Sequence, residues 1–265
     1  STTGKIVKLV NSAPLVSDSH GAHVSALANA DRNGTVMHGV AYGSTLYLGM
    51  SPELPTGFKA LFDEYFQVGV KVSSNSYGLN VNGDENSPWK PVKTSDSGFE
   101  TTAKNLIAYR DGAGLTSAQA FANVVGGTAQ EWTEAIASIR AFQNAGGVVV
   151  WANSNYGDND IANGAKGLDD VDFNAGTPLS FPELQSGWIA VVNATSIGLG
   201  IQANGQGYVD ASTKKEGNII LNSAKCGIAA NFCLSHDGVA MWAASNKGVT
   251  NLKPVHLRLL LRWRV

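Results

Sequence analysis

The chain has few charged residues, and their signs nearly balance. Only 15% of the 265 residues are charged, and the formal net charge is −2. This balance gives no electrostatic basis for binding nucleic acid or an anionic membrane, so neither is an expected partner. No apolar run approaches the roughly 20 residues of a membrane span. The first residues show no signal-peptide pattern, so we expect a mature product, a fragment or a trimmed form.

Cysteine is also scarce. Cys226 and Cys233 are the only two, with six residues between them. Without a third or fourth soft ligand nearby, the pair makes a poor zinc site. We therefore predict a local disulfide, which implies an oxidising compartment.

Glycine and apolar residues are plentiful, with 30 glycines and a hydrophobic share of 43%. This suits one close-packed domain with a large core. Apolar runs at 45–49, 70–78, 148–152 and 188–194 predict strands, and the spacing of apolar residues predicts helices over 54–68, 116–125 and 128–144. Strands that alternate with helices indicate a parallel, doubly wound sheet. Its ligand site should lie beyond the carboxyl ends of the strands.

The segment from Asp18 to Ala28 is the most informative part of the chain. His20 and His23 flank Gly21 and Ala22, and a run of small and apolar residues follows that predicts a helix. A histidine in this place can act as general base for a nucleophile. On these residues alone, a structural or metal-binding histidine pair is an equal alternative.

This segment resembles the His-Gly-Thr-His-Val-Ala-Gly motif of subtilases, the subtilisin-like serine peptidases. Ala22 replaces the usual Thr, and Ser25 and Ala26 replace Ala and Gly. The resemblance implies a three-layer α/β domain with a mostly parallel sheet, and it makes His20 the catalytic base of a Ser-His-Asp triad. The expected substrate is a peptide or protein. The other histidines, His23, His38, His236 and His256, have no ligand-like spacing, and we expect structural roles for them.

Two further segments are similar to subtilase motifs. After the apolar run 148–152 come Asn153, Ser154 and Asn155, and the family pattern implies that Asn155 donates to the oxyanion. Asn153 is the rival if the loop register differs by two, and a turn-forming Asn is the alternative to both. Ser76, Tyr77 and Gly78 resemble the family's Ser-Leu-Gly segment, which pairs with substrate as an added strand and walls the specificity pocket. A plain strand end is equally compatible with this segment alone.

The segment 222–234, which contains both cysteines, resembles one found in bacterial autotransporter-type subtilases. This similarity implies export, so the expected location is secreted, cell-surface or periplasmic. We expect a monomer with no required cofactor. Calcium occurs in the family, and the loop 156–175 is acidic, so a structural calcium ion is one interpretation and a solvated loop the other. The acidic residues are Asp158, Asp160, Asp169, Asp170 and Asp172.

Two parts of the family pattern are not found. The triad aspartate should precede the histidine in an apolar-Asp-Ser/Thr-Gly context, but Asp18 is the sole upstream carboxylate and lacks that context. The nucleophile motif Gly-Thr-Ser-x-Ala-Ala-Pro does not occur, and Ser235 and Ser245 have no similar context. We therefore expect a subtilase domain over residues 1–253 that is incomplete at both ends, followed by an aberrant tail over 254–265.

The tail has an unusual composition, with three arginines among four leucines and a tryptophan. With permitted codons, the bases read from the third position of the Pro254 codon encode Gly-Thr-Ser-Ala-Ala-Ala-Pro-Gln-Val-Ala-Gly. This is the subtilase nucleophile motif. Our hypothesis is that the tail is a frameshifted reading of that motif; the alternative is a divergent basic amphipathic tail. In either case we expect the tail to lie on the surface or to be poorly ordered.

Three functions are compatible with these motifs. The first is a serine endopeptidase of the subtilisin type, of which this chain is a truncated and inactive form. The second is a non-catalytic pseudopeptidase that keeps the peptide-binding cleft. The third is an inert fragment.

The parent gene tests the frameshift hypothesis. Sequencing across the codons for Lys253 to Val265 should reveal a reading frame, shifted by one base, that encodes Gly-Thr-Ser and continues onward. A stop codon directly after Val265, with no such motif in either other frame, would contradict the frameshift and favour the pseudopeptidase.

Overall fold

The structure is a computed structural model, and it divides the chain into two compact units. It describes residues 6–8, 19–32, 34, 38–49, 51–84, 86–93, 98–155, 168–196, 200–201, 207–208, 219–221, 223–236, 241–245 and 248–255. The first unit comprises residues 1–50, 200–208 and 238–257. The second comprises residues 51–199, 209–237 and 258–265.

The first unit contains helix α1 and three short pairs of strands. Strand β1 (Ile6–Lys8) pairs in parallel with β2 (Leu46–Leu48), and α1 (Ser19–Asn29) lies between them in sequence. Two antiparallel pairs complete its described elements: β8 (Gly200–Ile201) with β9 (Gly207–Tyr208), and β12 (Met241–Ser245) with β13 (Gly248–Val255). The predicted aberrant tail begins at the last two residues of β13, and residues 256–265 lie outside the described part of the chain.

The second unit is built on a parallel sheet. Its parallel strands, in spatial order, are β3 (Val72–Asn75), β6 (Val148–Ala152), β7 (Trp188–Ser196) and β11 (Cys233–His236). Strand β10 (Ile219–Leu221) runs antiparallel to the end of β7, and β4 (Val92–Lys93) forms a separate hairpin with β5 (Phe99–Glu100). The predicted fold class, α/β with a mostly parallel sheet, is confirmed.

Threonine caps explain where three helices of this unit begin. Thr102, Thr116 and Thr128 each accept a hydrogen bond from a backbone N–H of the first turn, and Thr116 and Thr128 form complete capping boxes. The helices they start are α3 (Ala103–Gly112), α4 (Ser117–Val125) and α5 (Ala129–Asn144). The other helices are α2 (Pro55–Val68) and the short α6 (Thr177–Ser180), with 3-10 turns at Pro182–Gly187 and Gly227–Phe232. Within the described ranges, none of the helices has the length and apolar character needed to cross a bilayer.

Aromatic side chains pack the helices onto the sheet. The rings of Phe62 on α2 and Phe142 on α5 lie 5.5 Å apart, edge to face. Phe58 of α2 lies over Trp151 of β6, and Trp151 stacks on Trp188 of β7 at 5.5 Å. These contacts bury one face of the sheet, and large aromatic surfaces of this kind dominate core stability.

Strand β3 forms one edge of this sheet in the described part of the chain. Its only strand partner there is β6, and the Val72 side chain is 60% exposed. The sequence predicts that the sheet lacks one strand, the strand that would carry the triad aspartate. A free edge at β3 is compatible with that prediction but does not identify the absent strand.

Candidate active site

Two polar segments leave the sheet side by side at its carboxyl edge. Strands β3 and β6 are parallel, and Asn75 lies opposite Trp151 in the register. Ser76–Gly78 follows β3, and Asn153–Asn155 follows β6. The structure therefore brings the predicted substrate segment next to the predicted oxyanion loop, at the edge where open α/β sheets bind ligands.

The side-chain amide of Asn153 is fully engaged in hydrogen bonds. It is fully buried, and its Nδ2 donates to the carbonyl oxygens of Ala224 at 2.8 Å and Lys225 at 2.9 Å. Its Oδ1 accepts from the Asp172 backbone N–H at 2.8 Å, and its own backbone N–H donates to Val191. A donor engaged in this way is unavailable to an oxyanion, so the geometry favours Asn155 over Asn153.

Asn155 differs from Asn153 in both exposure and bonding. It is half-buried, and its side chain makes no hydrogen bond with any described residue. The amide therefore has donors available at the carboxyl edge. This is what an oxyanion site requires, because the donor must be held in place and yet be unused before the reaction.

The Ser76–Gly78 segment has a half-buried tyrosine side chain, whose hydroxyl is buried, and available backbone groups. The Tyr77 ring centroid lies 5.1 Å from that of Trp151, and the Tyr77 carbonyl oxygen accepts from Trp151 Nε1 at 3.0 Å. Burial raises the pKa of Tyr77 well above its usual value. In contrast, the backbone groups of Ser76 and Gly78 make no hydrogen bond within the described residues. An extended peptide can pair with such groups.

Buried acidic side chains lie beneath this edge. Ser154 Oγ donates to Glu100 Oε2 at 2.7 Å, and both residues are buried. Asp172 Oδ1 accepts from the backbone N–H groups of Asn174 at 2.8 Å and Ala175 at 3.3 Å. Burial raises the pKa of Asp172 to about 6, although its hydrogen bonds with Asn174 and Ala175 oppose the rise. These acids hold loops together from below the site.

A disulfide closes the neighbouring turn. Cys226 and Cys233 are bonded around the 3-10 turn Gly227–Phe232, with their Cα atoms 5.8 Å apart. Asp170 Oδ1 accepts from the Ile228 backbone N–H at 2.9 Å. Gly227 has a φ of 47°, and a Cβ there would overlap the Asp170 carboxylate, so the close approach requires glycine. The predicted disulfide is thus present, and Asp170 anchors the turn that it closes.

His20 belongs to the first unit, in the first turn of α1. Two of the last carbonyl groups of α1 are satisfied by the following chain, since the backbone N–H groups of Val40 and Ala41 donate to Leu27 at 2.9 Å and Ala28 at 2.8 Å. Buried Asn29 donates to the carbonyl oxygen of Ser44 at 2.7 Å. These contacts fix the end of α1, the helix that carries His20.

The sequence model of the subtilase family matches residues 10–256. The chain belongs to the subtilase family. Subtilases are serine peptidases, so the match confirms the family that the sequence motifs predict. No curated protein is similar enough to count as a match. A solved structure titled "Structure of Prenylagaramide maturation protease PagA" is 10% identical to this chain with a TM-score of 0.46, and the match covers 95% of this chain and 61% of that one. The chain therefore spans 61% of the length of that structure.

Several predicted subtilase features lie outside the described residues. They are Asp18, the acidic residues Asp158 and Asp160, and the tail over 256–265. In the described part, no group of three or more His, Cys, Asp or Glu side chains is arranged to hold a metal ion. Asp170 and Asp172 are buried and bind backbone N–H groups, so for these two the solvated-loop interpretation is wrong. A structural calcium ion in this subtilase stays a prediction.

The residues that support the site belong to no recognisable sequence motif. Nothing in the local pattern points to Glu100 or Asn174, and the sequence predicts Asn153 only as a rival donor. Asn174 Oδ1 accepts from the Leu79 backbone N–H at 3.3 Å and so links the loop after β3 to the loop before α6. The partners of these residues are distant in sequence, as the 54 positions between Glu100 and Ser154 illustrate. Of the supporting residues, only Asp170 and Asp172 are indicated by the sequence, because their loop is rich in acidic residues.

The raised pKa of Asp172 predicts how the stability of this subtilase depends on pH. The folded carboxyl keeps its proton up to about pH 6. Its contribution to the free energy of unfolding is therefore fully present below about pH 4 and is lost as the pH rises through 6. Asp172→Asn keeps an acceptor oxygen and removes the titration. Between roughly pH 4.5 and 7, we expect the free energy of unfolding to fall by about 2 kcal/mol less in the variant than in the wild type.

Urea unfolding followed by fluorescence at the two pH values gives this comparison. Asp111→Asn, which changes a mainly exposed acid, is the matched control and should keep the wild-type dependence. Equal pH dependence in Asp172→Asn and the wild type would show that Asp172 does not titrate in this range.

Proposed function

We propose that this chain is the peptide-binding and partly catalytic core of a subtilisin-type serine endopeptidase, in an inactive form in which the nucleophile motif is not found. One observation carries the proposal: the unused amide of Asn155 lies at the carboxyl edge beside the unused backbone groups of Ser76 and Gly78. The first supplies an oxyanion donor, and the second supplies a strand edge for substrate.

The substrate would bind as an extended strand along Ser76–Gly78. Backbone pairing of this kind accepts many peptide sequences, because it uses N–H and C=O groups that every residue except proline has. The Tyr77 side chain faces the core and its carbonyl is occupied, so the pairing groups are those of Ser76 and Gly78. This alternation is the pattern of a strand edge.

In the complete enzyme, a serine hydroxyl would attack the scissile carbonyl carbon while His20 accepts its proton. The carbonyl oxygen becomes an oxyanion that Asn155 Nδ2 stabilises, and His20 then returns the proton to the leaving amine. Water would hydrolyse the acyl-enzyme by the same steps. The roles of His20 and Asn155 follow from the family motifs and from the free amide of Asn155.

A non-catalytic peptide-binding module is the second candidate. It needs only the Ser76–Gly78 edge, whose pairing groups are present in this chain, and it needs neither the triad serine nor the triad aspartate. For both candidates we propose a monomeric, exported bacterial protein. The Cys226–Cys233 disulfide supports export, because such bonds persist in oxidising compartments.

A fluorophosphonate label tests the assignment of the nucleophile. This reagent reacts covalently with activated serines, so the chain as it stands should not be labelled, whereas an intact subtilisin-type peptidase in a parallel reaction should be. Labelling that survives denaturing electrophoresis would show that this chain has a nucleophile that the motifs do not identify.

Backbone-methylated peptides test the binding mode. Fluorescein-labelled decapeptides should bind, and methylation of an amide that pairs with the Ser76–Gly78 edge should weaken binding about tenfold, as expected for loss of one backbone hydrogen bond. Methylation of the next amide, which would face away from the edge, is the matched control. Absence of binding, or equal effects of methylation at both positions, would contradict strand pairing and favour an inert fragment.

A further inference from the structure

We infer that Asn153 is a positioning residue that couples the oxyanion donor Asn155 to the Cys226–Cys233 disulfide. The inference rests on the proposed function, because it takes Asn155 as the donor. It assigns no chemistry to Asn153 itself.

Asn153 joins three separate segments to the loop that carries Asn155. Its backbone N–H donates to the carbonyl oxygen of Val191 on β7, and its Oδ1 accepts from the Asp172 backbone N–H. Its Nδ2 donates to the carbonyl oxygens of Ala224 and Lys225. No other described residue contacts all three segments by hydrogen bonds. Asn155 lies two residues further along the chain, so its backbone position follows that of Asn153.

The carbonyl groups that Asn153 binds lie next to the disulfide. Ala224 and Lys225 directly precede Cys226, and Ser223 Oγ accepts from the Asn193 backbone N–H at 2.9 Å. On the other side, Cys233 begins β11 and lies opposite Ala190 on β7. The disulfide thus ties the end of the Ser223–Cys226 segment to the sheet.

Breaking the disulfide would release one end of this segment. A dithiol reductant would transfer two electrons and two protons to the disulfide, giving two cysteine thiols while the reductant itself becomes a disulfide. Both cysteines are half-buried, and Lys225 and Gly227 beside them are exposed, so a small dithiol has access. The freed segment can then move, together with the carbonyl groups that orient Asn153.

Movement of the freed segment should displace Asn153, because the Asn153 amide is fully buried. If the two carbonyl groups shift, the Nδ2 donors must follow them or remain buried without acceptors, which is strongly unfavourable. The short connection to Asn155 leaves little chain to absorb the movement. Reduction of the disulfide should therefore change the position of the Asn155 amide only when the Asn153 amide is present.

A double-mutant-cycle design tests this coupling in the whole chain. The readout is the side-chain amide signal of Asn155 in two-dimensional ¹H–¹⁵N NMR spectra, recorded before and after reduction with dithiothreitol. In the wild type, reduction should shift this signal. In Asn153→Ala the signal should already be displaced when the disulfide is intact, and reduction should shift it by less than about a third of the wild-type amount.

Asn75→Ala is the matched control. Asn75 is also buried, and its amide donates to backbone carbonyl groups, including that of Val150 at 3.2 Å, but none of its hydrogen bonds reaches the disulfide segment. In Asn75→Ala, reduction should shift the Asn155 amide signal by the full wild-type amount. If Asn153→Ala does not fold, Asn153→Leu, which keeps the side-chain volume and removes both amide donors without adding a charge, should give the same loss of coupling.

The outcomes separate the inference from the proposed function. An Asn155 signal that reduction does not shift in the wild type, or that shifts equally in Asn153→Ala, would overturn the inference. Peptide binding is measured separately on the same samples: coupling without peptide binding would support the role of Asn153 and count against the proposed function. Peptide binding without coupling would support the proposed function and count against the role of Asn153.

Discussion

The buried amide of Asn153 is the interaction on which the candidate site depends. Parallel pairing of β3, β6 and β7 brings several chain segments to one edge of the sheet, but it does not fix the loops that follow them. Asn153 does so, because its side-chain amide and its backbone N–H form hydrogen bonds with backbone groups of three segments. A fully satisfied buried amide specifies one arrangement, whereas an apolar side chain of similar size would allow several.

Other buried polar groups extend this arrangement outward. The Glu100 carboxylate accepts from the Ser154 hydroxyl, and the Asp172 carboxylate accepts from the Asn174 backbone N–H. The Asp170 carboxylate accepts from the Ile228 backbone N–H in the disulfide-closed turn. Each is buried and hydrogen-bonded, as buried polar groups must be to avoid a large desolvation penalty. Against this background, the unused groups of Ser76, Gly78 and Asn155 stand out. The site consists of rigid supports that are satisfied internally and a few groups left for a ligand.

Much of the fold was predictable from local patterns. Strand β6 has the bounds that its apolar run predicts, and α5 follows the helical spacing of its apolar residues. Helix α3 was missed because Lys104, Asn105, Arg110 and Asp111 obscure its short apolar face, and the β4–β5 hairpin was missed because its strands have two residues each. For the site, the motifs predict His20, Asn155 and Ser76–Gly78, and these roles stay predictions. The supporting network was not predictable, because Asn153 and Ala224 meet across 71 positions of sequence.

The proposed function requires a peptide to lie along the carboxyl edge of the sheet, between Ser76–Gly78 and the Asn155 loop. Photo-cross-linking with a decapeptide that carries benzoylphenylalanine at a central position locates the bound peptide most directly. After irradiation and protease digestion, mass spectrometry should find the cross-links within residues 76–80 and 152–155, and excess unlabelled peptide should abolish them. Cross-links confined to other parts of the chain, or unaffected by the competitor, would contradict the account.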